Sequence, residues 1–168
     1  MFKTYYQLTK PGIIYGNLLT AIGGFLYASE GRIDILLLLA LAVGMSLVIA
    51  SGCVFNNYLD RDIDAKMQRT QKRALVSAEI STQNALIYGA VLGISGAAIL
   101  ALYTNLTTLL LGIVGFVSYV GLYTYLKRRT IHGTLIGTIP GATPLIAGYT
   151  AVNGQLGLDA LLLFLIMV

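Results

Sequence analysis

Residues 56–73 read Asn-Asn-Tyr-Leu-Asp-Arg-Asp-Ile-Asp-Ala-Lys-Met-Gln-Arg-Thr-Gln-Lys-Arg, a concentration of oxygen donors and cations in a chain poor in both. If a helix runs through Asp64 at about 100° per residue and Asn56 is set at zero, Asp60 falls near 40°, Asp64 near 80° and Asn57 near 100°. Four oxygen-bearing side chains then share roughly a quarter of the circumference, while Asp62 lies at about 240°, on the far side. Carboxylate and amide oxygens on one face suit Mg²⁺, a hard ion that takes one or two carboxylates and completes its shell with phosphate oxygens and water. Lys66, Arg69, Lys72 and Arg73 follow directly, and Arg69 and Arg73 share a face if that stretch is helical. Guanidinium groups bind phosphate oxygens through paired hydrogen bonds. The spacing therefore describes a site for a metal-bound diphosphate, with a solvated loop of mixed charge as the open alternative.

The elements that must position these groups are membrane spans. The chain has 168 residues, 57% hydrophobic and only 11% charged, with a mean hydropathy of +0.79. A water-soluble globule carries about 25% charged residues, and a disordered chain is poorer in apolar ones. Nineteen glycines without a triplet period exclude collagen, and the single cysteine, Cys53, excludes an internal disulfide or a Cys/His metal cluster. Charge-free stretches at 11–29, 35–59, 80–126 and 133–158 mark the spans. A bilayer core requires about 20 helical residues, so the third stretch holds two spans, broken at Thr104-Asn105 and Thr107-Thr108. The expected helices are 12–28, 35–57, 83–103, 107–126 and 134–152, with a sixth run starting at Ala160. The fold class is all-α, a polytopic membrane helix bundle of five complete spans plus the start of a sixth.

Ten of the eleven basic residues fall on alternate connections, and only Arg32 falls on the other side. The positive-inside rule places the N-terminus and the 58–82 loop in the cytoplasm, so the net charge of +4 implies a membrane side and no nucleic acid. A cleaved signal peptide fits residues 1–29 poorly, because the apolar run is long and its exit lacks small residues.

Small residues at Gly89, Gly93 and Ala97, and at Gly133, Gly137 and Gly141, sit four apart and favour close helix packing in lipid. Pro140 and Pro144 are expected to kink or break the fifth helix, and a break in a membrane needs protein or a cavity beside it, here near 137–148. Tyr5, Tyr6, Tyr27, Tyr103, Tyr125 and Tyr149 lie near span ends and suit interfacial belts. His132, the only histidine, follows a basic run at a span end, where a haem-iron role competes with an ordinary interfacial one. Cys53 is expected to pack among helices.

Asn56, Asp60 and Asp64 match the NxxxDxxxD signature, and on it the chain resembles the UbiA-type intramembrane prenyltransferases. Leu8–Ile13, Ser51–Asp64, Met67–Thr70, Tyr125–Arg128 and Gly133–Pro144 extend the likeness, and the Asn-Asn-Tyr-Leu-Asp-Arg-Asp-Ile-Asp and Gly-Ala-Thr-Pro wordings point to the protohaem IX farnesyltransferase branch. Two local departures are Ala74 and Leu145, where relatives often carry proline. A larger one is the lack of a second Asp-rich motif, since no Asp or Glu occurs from Ile80 to Leu158. Such enzymes have about nine spans, so residues 1–168 are expected to be the N-terminal part of a single membrane prenyltransferase domain, a fragment without turnover of its own.

The resemblance implies transfer of a farnesyl group from farnesyl diphosphate to a vinyl group of haem B, with water addition, giving haem O. It implies Mg²⁺ on Asp60 and Asp64 with Asn56 in support. It also implies a substrate-binding set of Asn57, Arg69 and Arg73, then Lys127 and Arg128, on the diphosphate side. The setting would be the bacterial inner membrane, with a downstream haem-modifying enzyme or terminal oxidase assembly receiving the product. A polyprenyl transferase acting on an aromatic quinone precursor, or a membrane protein without enzymatic activity, remain the alternatives.

Overall fold

The computed structural model describes residues 1–130 and 133–167, and His132 lies outside them. Among the described residues every regular element is helical: α1 (Phe2–Leu8), α2 (Pro11–Ser29), α3 (Ile35–Leu59), α4 (Arg61–Asp64), α5 (Thr82–Tyr103), α6 (Leu106–Val117), α7 (Thr124–Leu126), α8 (Gly133–Asn153) and α9 (Leu158–Met167). Between α6 and α7 lies a π-helical turn, Ser118–Tyr123, so that 106–126 form one span with an internal change of pitch. Among the described residues, five helices are long and apolar enough to cross a membrane. The expected spans agree with these to within a residue or two. The helix Phe2–Leu8 and the π turn were not anticipated.

Side-chain caps start the spans where the charge-free runs begin. Asp34 Oδ1 accepts from the backbone N–H of Leu36 and Leu37, Ser81 Oγ from that of Asn84, and Asn105 Oδ1 from that of Thr108. Each cap satisfies donors that a helix start leaves free. Lys10 takes a left-handed backbone (φ 53°) and Pro11 opens α2, turning the chain sharply out of α1.

α3 packs along α5, α2 along α8, and α6 along α8. The core of Phe25, Leu41, Met45, Val48, Leu100, Ala147 and Ala151 ties both pairs together. A second cluster, Leu8, Val54, Ile80 and Ala85, binds α1 and the end of the 65–81 connection to α3 and α5. Large apolar side chains such as Leu19, Leu36, Ile94 and Leu102 face outward, as lipid-facing residues do.

The closest backbone approaches are not at the expected glycines. A Cβ on Gly24 would lie 2.0 Å from Leu145 O, and one on Gly148 would lie 1.9 Å from Ala21 O. Gly96 approaches Gly44 O (2.7 Å) in the α3–α5 pair, while Gly89 and Gly93 meet side chains of α3. Gly141 meets nothing within 4 Å and Gly137 meets the Tyr123 ring, so this pair faces open space and an aromatic ring instead of a neighbouring backbone. α8 also runs unbroken through Pro140 and Pro144. The predicted break is absent; the predicted cavity beside it is present. Tyr149 is buried, with its hydroxyl 3.3 Å from Asp159, so it is a packing residue and no part of an interfacial belt. Cys53 is buried, as expected.

Candidate active site

α3 ends at Leu59, and its last turn sets the site. Asp60 caps it, and α4 restarts at Arg61, yet the i to i−4 bonds Asp60 N–Asn56 O (2.9 Å) and Asp64 N–Asp60 O (2.8 Å) persist across the joint. Asn56, Asn57, Asp60 and Asp64 are therefore all buried at one end of the bundle (2%, 4%, 5% and 5% exposed). Asp62, facing away, is exposed. The angular sorting read from the sequence survives the short interruption.

Asn56, Asp60 and Asp64 each turn their oxygens to different donors. Asn56 Oδ1 accepts from Lys10 Nζ (2.5 Å), and its Nδ2 donates to Thr124 Oγ1 (2.8 Å). Asp60 pairs with Lys127 and, at 3.2 Å, with Arg128. Asp64 pairs with Arg73 Nη1 at 2.6 Å. Asn57 Nδ2 donates to Leu8 O (2.8 Å), while its Oδ1 is buried without a hydrogen-bond partner among the described residues. Three of the four side chains thus turn their oxygens to separate protein cations, and the fourth oxygen is unpartnered among the described residues.

Two expectations about the cations need correction. Residues 65–81 form turns and bends with no helix, so Arg69 and Arg73 do not share a helical face. Arg73 reaches Asp64, whereas Arg69 is exposed and makes no ion pair among the described residues. Lys127 and Arg128, ranked behind them, are brought onto Asp60 by α7. Lys10 was not anticipated as a site residue. Its signal was a lysine immediately before a helix-starting proline at the lipid boundary. Burial pushes its ammonium down to about 8. Arg128 also bonds Asp62, and that bond holds the Asp62 carboxyl below its usual range.

Lys10, Arg73, Lys127 and Arg128 face Asp60, Asp62 and Asp64, leaving one positive charge in excess. Beneath Lys127 a cavity of about 730 Å³ descends between the helices, lined by Met45, Val48, Tyr119, Tyr123, Pro140 and Pro144 among others. Lys127 Nζ stands 5.1 Å from the Tyr123 ring centroid, and Tyr119 and Tyr123 stack at 5.7 Å. Lys127 is the member of this charged group that lines the largely apolar chamber. The donor types, two buried carboxylates, the Asn56 amide oxygen and the orphaned Asn57 oxygen, are those a hard divalent ion takes, though no three His, Cys, Asp or Glu side chains among the described residues are grouped as a metal site.

The profile of the UbiA prenyltransferase family matches residues 17–168. The chain belongs to this family. It is 53% identical to protoheme IX farnesyltransferase 2 of Shewanella sp. (strain ANA-3), over 98% of this chain and 53% of that protein. It is 54% identical to protoheme IX farnesyltransferase of Sodalis glossinidius (strain morsitans), over 99% of this chain and 56% of that one. The chain spans about half the length of the curated relatives it matches. Among solved structures, one from work on digeranylgeranylglyceryl phosphate synthase in membranes superposes with a TM-score of 0.85 at 27% identity, over 99% of this chain and 58% of the other. A UbiA homolog from Archaeoglobus fulgidus, bound to GPP and Mg²⁺, superposes with a TM-score of 0.79 at 17% identity, over 98% and 59%, a likeness of fold.

Tyr119 and Tyr123, both inside the π turn, and Lys127, which caps α7, line the cavity of about 730 Å³ together. π turns carry no reliable single-sequence signature and often occur at functional sites.

Proposed function

We propose that this chain carries the diphosphate-binding side of a protohaem IX farnesyltransferase, which moves a farnesyl group from farnesyl diphosphate to a vinyl group of haem B. The supporting observation is the pair of buried carboxylates, Asp60 and Asp64, each held by a cation, with the Asp60 partner Lys127 also lining the largely apolar cavity. Burying a carboxylate is costly unless it is paired, and here the pairing cations are groups that also bind phosphate oxygens, while the buried Asn57 amide oxygen has no partner among the described residues.

Asp60, Asp64, Asn56 and Asn57 are the residues that would hold Mg²⁺, and the chemistry such an ion supplies is neutralisation of the leaving diphosphate. Arg73, Lys127 and Arg128 donate hydrogen bonds to anionic oxygens, first those of the carboxylates and, on exchange, those of phosphate. Their fixed positive charge favours departure of a group that leaves with the electron pair of the allylic C–O bond. Arg69, exposed and unpaired among the described residues, is a further donor available to the diphosphate. The apolar walls hold the isoprenoid and keep water from the allylic cation until the vinyl carbon has attacked. Water then adds to the resulting cation, loses a proton and leaves the hydroxyl of haem O. In the cell the N-terminus and the 58–82 connection face the cytoplasm from the bacterial inner membrane.

The test is transfer of radiolabelled farnesyl to haem B by the enzyme that contains this chain. Asp60→Asn and Asp64→Asn should each abolish transfer while membrane insertion persists. Undiminished transfer by both would overturn the proposal. An aromatic quinone precursor supplied instead of haem B should accept no label; preferential labelling of it would replace the acceptor.

A further inference from the structure

We propose that Thr124 is a positioning residue whose task is to keep the Asn56 amide turned with its oxygen toward the diphosphate-binding end of the site. The inference rests on the metal-diphosphate reading given above and assigns a role to a residue outside its charged groups.

Thr124 is buried (3% exposed) at the junction of the π turn and α7. Its hydroxyl donates to Tyr119 O at 2.9 Å, five residues back, and its backbone N–H reaches the same carbonyl. In a regular helix a threonine hydroxyl back-bonds to the carbonyl three or four residues earlier. The π turn brings the fifth within reach. A hydroxyl has one proton, and this one is committed, so Thr124 Oγ1 can only accept from its other neighbour. That neighbour is Asn56 Nδ2, at 2.8 Å. The amide NH₂ is thereby fixed toward the 106–126 span, and Oδ1 is fixed on the opposite side, where Lys10 Nζ donates to it.

Lys10 also selects this orientation, because an ammonium has no acceptor. However, Lys10 is a flexible cation and is itself drawn to an arriving diphosphate. The Tyr119 hydroxyl, 3.4 Å from Asn56 Oδ1, can donate or accept and so tolerates either orientation. Once Lys10 moves, the Thr124 bond is what distinguishes the two faces of the amide, an oxygen that attracts a cation and an NH₂ that repels it. The π pitch at 118–123 is what supplies the Tyr119 carbonyl to Thr124.

The test is Mn²⁺ binding, with Mn²⁺ standing in for Mg²⁺, read from loss of the free-ion EPR signal with farnesyl thiodiphosphate present. Thr124→Val should weaken binding about tenfold, which corresponds to about 1.4 kcal/mol. Thr124→Ser, which keeps the hydroxyl, should restore it to within about twofold of the native value. Thr124→Ala should repeat the loss should the valine methyl crowd the turn. In an Asn56→Asp background, where both oxygens are alike, Thr124→Val should cost nothing further. An equal cost in both backgrounds, or native binding that Thr124→Val and Thr124→Ala leave unchanged, overturns the positioning role and spares the site. A native protein that binds no Mn²⁺ with the thiodiphosphate overturns the site itself and this inference with it.

Discussion

Replacing Gly24 by alanine puts a methyl group where the backbone of α8 already stands. Its Cβ would sit 2.0 Å from Leu145 O, 3.0 Å from Leu145 C and 3.1 Å from Tyr149 N. An ordinary contact starts near 3.4 Å, so α2 and α8 must separate by more than an ångström, and no rotamer change can absorb this because every obstructing atom is main chain. Overpacking costs about 1–3 kcal/mol and occasionally more. With backbone on both sides and the Gly148–Ala21 approach disturbed in the same motion, about 3 kcal/mol is expected. Gly23 supplies the control, since a Cβ there meets nothing within 4 Å and the gain in helix propensity is the same. Unfolding in bicelles by steric trapping would measure both. Gly24→Ala should lose about 3 kcal/mol relative to Gly23→Ala. A difference below about 0.5 kcal/mol, the usual range for an uncoupled surface change, would refute the close α2–α8 contact.

Three further outcomes are expected. Arg73→Met removes the ion-pair partner of Asp64 and should cost about 1–3 kcal/mol by the same assay, less than the 3–5 typical of fully buried pairs because Arg73 is 30% exposed. Arg128→Ala should raise the Asp62 titration midpoint, followed by carboxyl NMR. Because the native folded value is depressed, the stability this contact adds is present above the unfolded value, so the difference between native and variant should shrink as pH falls below about 4. Asn105→Ala removes both the cap on Thr108 N and the donor to Thr150 O and Ala151 O, and should cost about 2 kcal/mol in the unfolding assay.

The spans were legible because charge is excluded from hydrocarbon, so Pro11–Ser29 and Ile35–Leu59 are bounded by Lys10, Glu30, Asp34 and Asp60 themselves. The clustering of Asn56, Asp60 and Asp64 was legible because helical periodicity is local and survived the joint at Asp60. Contacts between distant segments were not. Arg73 and Arg69 look equivalent in the sequence, and only the irregular course of 65–81 delivers one to Asp64 and leaves the other exposed. Lys127 and Arg128 reach Asp60 across nearly seventy residues, by a helix whose π turn no periodicity announces. The glycines were misjudged for a related reason. The spacing of Gly133, Gly137 and Gly141 is that of a packing stripe, yet Gly137 and Gly141 open onto the cavity, while isolated Gly24 and Gly148 make the tightest contacts.

The central claim is that Asp60 and Asp64 jointly hold a divalent ion against a prenyl diphosphate. Anomalous diffraction from crystals grown with Mn²⁺ and farnesyl thiodiphosphate addresses it most directly. The account predicts one peak about 2.2 Å from oxygens of both carboxylates, with Lys127 and Arg73 moved onto phosphate oxygens. A peak coordinated by diphosphate alone, with Asp60 still on Lys127 and Asp64 still on Arg73, would contradict it.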